Sequence, residues 1–279
     1  MPESPEVEAL VRFLADEASG REIRDVDVLE FRTVKTRAAP PASITGRTVT
    51  GVRRHGKHLE LVLDEASLVV SLGRHGWMRW LDAAPNAESV MLAADAPPAL
   101  ATFELSGDRR LQVTDAGSWV SLGLFVVGDA GDVPAIAKLG PDPADPAFTR
   151  EQFEAALGRR RKQIKAILQE QESLAGIGNA YSDEILHLAK VSPVTHATAL
   201  DEEEGDRLFD ATLTTVREAI DARFGVPIDQ LKARKVAAMR VHGRTGEACP
   251  VCGDTIRDLT FAGTSAQYCP TCQNGGVPL

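Results

Sequence analysis

Met1-Pro2-Glu3-Ser4-Pro5-Glu6 opens the chain, and the six residues carry two messages at once. Methionine before proline favours removal of the initiator residue, which leaves Pro2 as a free secondary amine. An α-amine titrates at about 7.7–8.0, so a useful fraction is unprotonated at neutral pH, whereas a lysine at about 10.4 needs burial or a neighbouring cation. Such an amine can attack the C1′ aldehyde carbon of a sugar and form a Schiff base. A secondary amine gives only the charged iminium, a strong electron sink. Glu3 and Glu6 are the carboxylic acids at hand. The same stretch also reads as a plain helix start, with Ser4 as N-cap, Pro5 at the first helical position and Glu6 in the first turn. That second reading leaves Pro2 and Glu3 without a purpose.

Working outward, Val7, Leu10, Val11 and Leu14 fall at helical spacing, which predicts an amphipathic helix over residues 5–18. From about Arg24 to Phe125 the pattern turns to strands. Residues 48–54, 57–63, 68–72, 102–105, 111–114 and 121–127 are short, apolar and partly alternating, separated by turn signals such as His55-Gly56 and Ser106-Gly107-Asp108. A β-sandwich or partly open barrel behind a leading helix follows. A stretch rich in Gly and Pro, residues 128–146, reads as a hinge. Helices come next. Thr149 and Gln152 form a capping box, residues 161–169 continue as a second helix, and Thr198 with Asp201 opens a long one through Leu208, Thr212, Val216 and Ile220. The fold class is therefore α+β in two domains. The expected division is an N-terminal catalytic sandwich over 1–130, a hinge over 131–148, a helical domain over 149–240 and a metal-bound finger over 241–279.

A chain of 279 residues has ample length for buried cores, and 43% hydrophobic with 25% charged residues is an ordinary globular balance. No apolar run approaches a membrane span and no signal peptide precedes the acidic start, so a cytoplasmic, nucleoid-associated monomer with no membrane partner is expected. The net charge of −9 argues weakly against nucleic acid, but phosphate binding depends on local patches. Base is concentrated in Arg159-Arg160-Arg161-Lys162 and Lys232-Ala233-Arg234-Lys235, acid in Asp201-Glu202-Glu203-Glu204. Each basic run reads either as a solvated helix face or as a phosphate contact.

Cys249-Pro-Val-Cys252 and Cys269-Pro-Thr-Cys272 form two C-x2-C pairs. Their spacing lets four thiolates converge on one tetrahedral Zn2+, with a β-hairpin between them. Two disulfides are the alternative, which the lack of a secretory context disfavours. Four cysteines fill the shell, so the metal is structural. A second constellation, Leu174-Ala-Gly176-Ile-Gly178-Asn179-Ala-Tyr181, describes a tight turn opening a helix. Its exposed amides suit a phosphate, or else it is a corner of the core.

Together these pieces resemble the formamidopyrimidine-DNA glycosylase / endonuclease VIII family, enzymes of base-excision repair. The resemblance runs over nearly the whole chain. It is carried by the Met-Pro-Glu-x-Pro-Glu start, Arg53-Arg54-His55-Gly56-Lys57-His58-Leu59, Leu139-Gly140-Pro141, the Gly176-Ile-Gly178-Asn179 turn, and Val241-His-Gly243-Arg244-Thr-Gly246-Glu leading into the cysteines. It implies a helix–two-turns–helix element, a zinc finger, and damaged or abasic DNA as partner. It implies that Pro2 is the Schiff-base nucleophile, Glu3 the acid/base for sugar-ring opening, and Glu6 a support of that site. Lys57 would contact phosphate and donate a proton during β-elimination. Asn179 and the turn amides would hold backbone phosphate, with Arg161 and Arg240 at DNA-contacting positions. The reaction requires a flipped nucleotide, because C1′ is out of reach in a stacked duplex.

Three departures fall on the lesion-reading surface. The family's finger arginine, five residues before the third cysteine, is Thr264 here, and residues 261–268 contain no arginine. Its Leu-Gly-Met probing loop is Leu72-Gly73-Arg74. Its gap-filling arginine and phenylalanine match Gly117 and Trp119, of which the aromatic can still wedge into a stack. The expected function is a glycosylase/AP lyase with an unusual substrate range. The alternative is a weakly active or non-enzymatic binder of damaged DNA.

Overall fold

The computed structural model describes residues 2–82, 97–158, 160–261 and 264–279, without the side chains of Phe261 and Thr264. The expectations for Met1, Arg159 and the Thr264 side chain lie outside the described residues. The chain divides by contacts into two units. The first takes Pro2, residues 6–137 and Gly225–Asp229; the second takes Glu3–Pro5, Lys138–Phe224 and Gln230–Leu279.

In the first unit, α1 (Ser4–Ala18) turns Val7, Leu10, Val11, Leu14 and Ala18 inward, none more than 8% exposed. Burying a leucine in such a stripe is worth about 1.5–3 kcal/mol, which is what holds a helix whose propensity alone is marginal. Two antiparallel four-stranded sheets make the sandwich. One runs in the order β1 (Ile23–Val28), β6 (Ala99–Leu105), β7 (Arg109–Asp115), β5 (Gly76–Asp82). The other runs β2 (Val49–His55), β3 (His58–Leu63), β4 (Ser67–Ser71), β8 (Gly123–Val127). The six expected strands match β2, β3, β4, β6, β7 and β8. The additional β1 and β5 break alternation: β1 is bulged between Ile23 and Asp25, and β5 buries the consecutive Trp77 and Met78. Between β2 and β3, Gly56 supplies the positive φ (56°) that a two-residue hairpin needs at its first turn position. Within the stretch read as a hinge, Val133 joins Ala130 in packing on Val69, and a short α2 (Pro134–Ala137) follows. Ile228 rejoins the first unit by accepting a hydrogen bond from the Trp77 indole at 3.1 Å.

The second unit is helical. Thr149 caps α3 (Arg150–Leu157) in the expected box with Gln152. The second expected helix, 161–169, begins only at Ile164 as α4 (Ile164–Gln169), since Gln163 is extended and bridges to His196. Next comes α5 (Asn179–Ala189), ended by Lys190 in the left-handed region. The long helix, α6 (Glu202–Asp221), is capped by Asp201 with Glu204, not by Thr198, which lies in a separate 3₁₀ turn. The basic run 232–235 lies on α7 (Leu231–Ala238). The finger hairpin, β9 (Arg257–Phe261) and β10 (Thr264–Tyr268), ends in α8 (Pro270–Gln273). The core gathers Phe148, Phe153, Ile167, Tyr181, Ile185 and Leu208 around α5. Among the described residues no helix is long and apolar enough to cross a membrane.

Candidate active site

Glu3 is 1% exposed, and its carboxylate is the cap of a helix far away in sequence. The N–H groups of Gly178 (2.5 Å), Ala180 (3.0 Å) and Tyr181 (3.4 Å) all donate to it. These are the first free amides of α5, where the helix dipole also favours an anion. The sequence reading gave the turn amides to a DNA phosphate; they hold a protein carboxylate instead, which answers the same chemistry. The loop is built for this approach. Gly176 sits at φ +88°, and a Cβ there would lie 2.6 Å from the Cβ of Ser4. The N–H of Ser4 donates to the Gly176 carbonyl at 2.9 Å, while its hydroxyl is buried with no hydrogen-bond partner. Ser4 therefore does not act as the expected N-cap: its hydroxyl is shut in against the glycine.

Lys235, which the sequence reading assigned only to a basic run, joins this carboxylate. Its Nζ lies 3.3 Å from Oε1 of Glu3 and 4.7 Å from the centroid of the Tyr181 ring. Nothing in sequence links residues so far apart, and only the run of cations gave a signal. Asn179, half-buried, accepts from Gln169 at 2.9 Å and donates to Ser265 of β10 at 3.4 Å. Arg161 is exposed, whereas Arg160 and Lys162 are both tied to Glu170. The Lys162 bond first, then the Ser173 hydroxyl and Arg160, hold the Glu170 carboxyl down at about 2. Arg240 is exposed while its N–H, with those of Val241 and His242, donates to Glu184.

In the first unit, Pro2 and Glu6 are buried and Lys57 is half-buried in the β2–β3 turn. Arg54 fixes that turn: its Nε meets Glu8 of α1 at 2.8 Å and its Nη1 donates to the Gly56 carbonyl at 3.0 Å. The loop after β7 is equally set. Asp115 accepts from the N–H groups of Gly117, Ser121 and Leu122 and from the Ser121 hydroxyl. Burial works against its ionisation, but these bonds outweigh it and hold the carboxyl below its ordinary range. The loop so fixed presents Trp119, 54% exposed, with the Arg74 guanidinium 5.6 Å from the ring centroid. A Cβ on Gly117 would fall 2.9 Å from the His75 ring and 3.0 Å from Asp115 Oδ1, so any side chain at that position would have to displace them.

The four cysteine sulfurs lie within 4.8 Å of one another. A tetrahedron of Zn–S bonds of about 2.3 Å has edges near 3.8 Å, so the donor set fits one Zn2+ with no open position. Burial pushes the Cys269 thiol up to about 11 and Cys272 higher still; a dication among the sulfurs reverses that preference. His187 Nε2 stands 3.3 Å from the Cys249 sulfur.

A sandwich led by a helix, a helical unit with a two-glycine turn and a four-cysteine finger define a DNA glycosylase of the helix–two-turns–helix class. Residues 1–118 match the formamidopyrimidine-DNA glycosylase N-terminal domain, residues 139–227 the formamidopyrimidine-DNA glycosylase H2TH domain, and residues 246–275 the zinc finger found in FPG and IleRS. The formamidopyrimidine-DNA glycosylase of Mycobacterium avium is 36% identical over 287 residues, 98% of each chain. The MutM (FPG) protein of Thermus thermophilus superposes with a TM-score of 0.80 at 32% identity, covering 99% of this chain and 100% of that one. Lactococcus lactis FPG, solved with a FAPY-dG containing DNA, gives 0.82 at 28% identity, covering 98% and 100%. The chain belongs to the formamidopyrimidine-DNA glycosylase family, whose members are DNA glycosylase/AP lyases acting on damaged DNA.

Proposed function

We propose that this chain excises damaged bases through an iminium at Pro2 and then cuts the sugar–phosphate backbone by β-elimination. The Pro2 nitrogen bonds to C1′ as the base departs, and Glu3 exchanges the proton that opens the sugar ring at O4′. A proton is then lost from C2′, the C3′–O bond breaks, and the 3′ phosphate leaves with its electron pair; water finally releases the iminium. Glu6 supports the N-terminal segment, and Lys57 serves the phosphate and the departing group. Asn179, Arg161 and Arg240 meet DNA backbone. The observation that carries this reading is the carboxylate beside Pro2 in sequence, held by three amides and a lysine in a buried setting. Such preorganisation is what a proton-transferring group needs.

Arg74 and Trp119 form the gap-filling pair on the lesion-reading loop, in place of a longer set, and this narrows or shifts the range of bases removed. Weak excision of 8-oxoguanine from duplex DNA is expected. The second reading, a binder of damaged DNA that turns over poorly, draws on Gly117 and Thr264. Borohydride trapping on abasic-site DNA separates the two, since only an iminium is reduced to a stable link. Native protein should trap, and Pro2→Gly should lose most trapping while still binding DNA. No trapped product from native protein would leave the binder.

A further inference from the structure

We propose that Lys235 is a positioning residue for the Glu3 carboxylate, keeping it ionised and aimed until it takes a proton; the inference rests on the role given to Glu3 above. The helix α7 sets this up. Leu231 is fully buried and anchors the first turn, and Lys235 lies four residues on, on the same face. Lys232 and Arg234 are exposed. Lys235 instead sets its ammonium over the Tyr181 ring and has a side chain only 13% exposed, ending 3.3 Å from Glu3 Oε1. The run 232–235 is thus split by exposure: Lys232 and Arg234 are exposed, while Lys235 reaches the carboxylate.

The three amides of α5 orient Glu3, but they carry partial charge only. Lys235 adds a full positive charge at contact distance, which favours the ionised form. The charged groups facing Glu3 include Lys235 from α7 and, across the α5 terminus, Lys165 from α4; Glu6 is the next acid along its own segment. Lys165 is already paired with Asp183 at 2.5 Å, whereas Lys235 reaches the Glu3 carboxylate directly. A carboxylate held this way is a base at rest: it takes the proton that the Pro2 nitrogen sheds on bonding to C1′ and passes it to O4′ as the ring opens.

The test uses the full zinc-loaded chain with Pro2 exposed, labelled with 13C at glutamate carboxyls, the Glu3 signal being the one lost in Glu3→Gln. Lys235→Met removes the charge and keeps the stem; Lys235→Arg keeps the charge. The Glu3 titration should move up by about 1–3 pH units in Lys235→Met and stay near native in Lys235→Arg. The single-turnover rate of borohydride trapping on abasic-site DNA at neutral pH should fall about tenfold or more in Lys235→Met, with DNA affinity changed far less, and recover in Lys235→Arg. Should Lys235→Met fail to fold, Lys235→Gln gives the same comparison with a polar tip over Tyr181. A Glu3 titration unmoved by loss of the charge overturns the inference. A native protein that traps nothing overturns the proposed reaction, and leaves the effect of Lys235 on Glu3 readable in the titration alone.

Discussion

Lys165 brings an ammonium to complete burial in the second unit, where Asp183 and Ser182 receive it and His242 binds the other oxygen of Asp183 at 2.8 Å. Burial pulls its pKa down, and Asp183 works in the opposite direction. Removing one partner of such a pair strands the other, at about 3–5 kcal/mol. Lys165→Met should therefore lower the urea midpoint sharply, and adding Asp183→Leu should recover part of the loss; a single variant as stable as native would show that the pair is not what holds this corner. His58 offers a pH prediction. Burial first, then the charges of His55 and Lys57, lower it to about 4. The unfolded chain binds that proton near 6.5, so between 6.5 and 4 the unfolded state holds more protons and stability falls as pH falls. Urea midpoints should drop less between pH 7 and 4.5 in His58→Leu than in native protein, and equal drops would acquit His58. Thr264 belongs to the proposed reaction. A short neutral hydroxyl cannot replace a bidentate cation on a departing phosphate, so mainly singly cleaved product is expected. Thr264→Arg should raise the share cut on both sides of the sugar, as gel analysis of product ends would reveal; a native enzyme that already leaves a phosphate-flanked gap would refute it.

At the scale of elements, the start of α6 is the sharpest contrast. Asp201 accepts from the N–H of Glu204 at 2.8 Å, and Glu204 returns the bond. Asp201→Ala should cost about 1 kcal/mol, whereas Thr198→Ala should stay within about 0.5, both by denaturant titration. Gly176→Ala should cost more than either, because it meets a positive φ and the Ser4 side chain together. The cysteine finger was legible in advance because metal ligation demands fixed spacing, and α1 because its burial follows the helical period. The start of α6 was misplaced because Thr198 and Asp201 are both good caps, and tertiary packing chose between them. The Gly178 turn was recognised as an anion site, but periodicity cannot tell a phosphate from a carboxylate brought from the chain's own beginning. Lys235 was seen as charge and missed as a partner, since its direction depends on where Leu231 anchors the helix.

Across the whole molecule, the three tryptophans, Trp77, Trp80 and Trp119, all belong to the first unit and the zinc ligands to the second. One zinc per chain is expected by elemental analysis, and chelation should loosen the finger and weaken DNA binding while tryptophan emission holds. Emission that collapses on chelation would show that the first unit depends on the metal. The chain also crosses between the units more than once: Glu3–Pro5 count with the second, and Gly225–Asp229 return to the first. That order has a consequence for synthesis. Glu3 and Trp77 are made long before their partners, because Glu3 must wait for Gly178 and Lys235 and the Trp77 indole for Ile228. Ribosome-stalled chains should show native Trp77 emission only when the stall lies well beyond residue 229. A nascent chain thus carries Glu3 without the amides that hold it, and a polypeptide that ends early, before α7, is released without the lysine that meets this carboxylate.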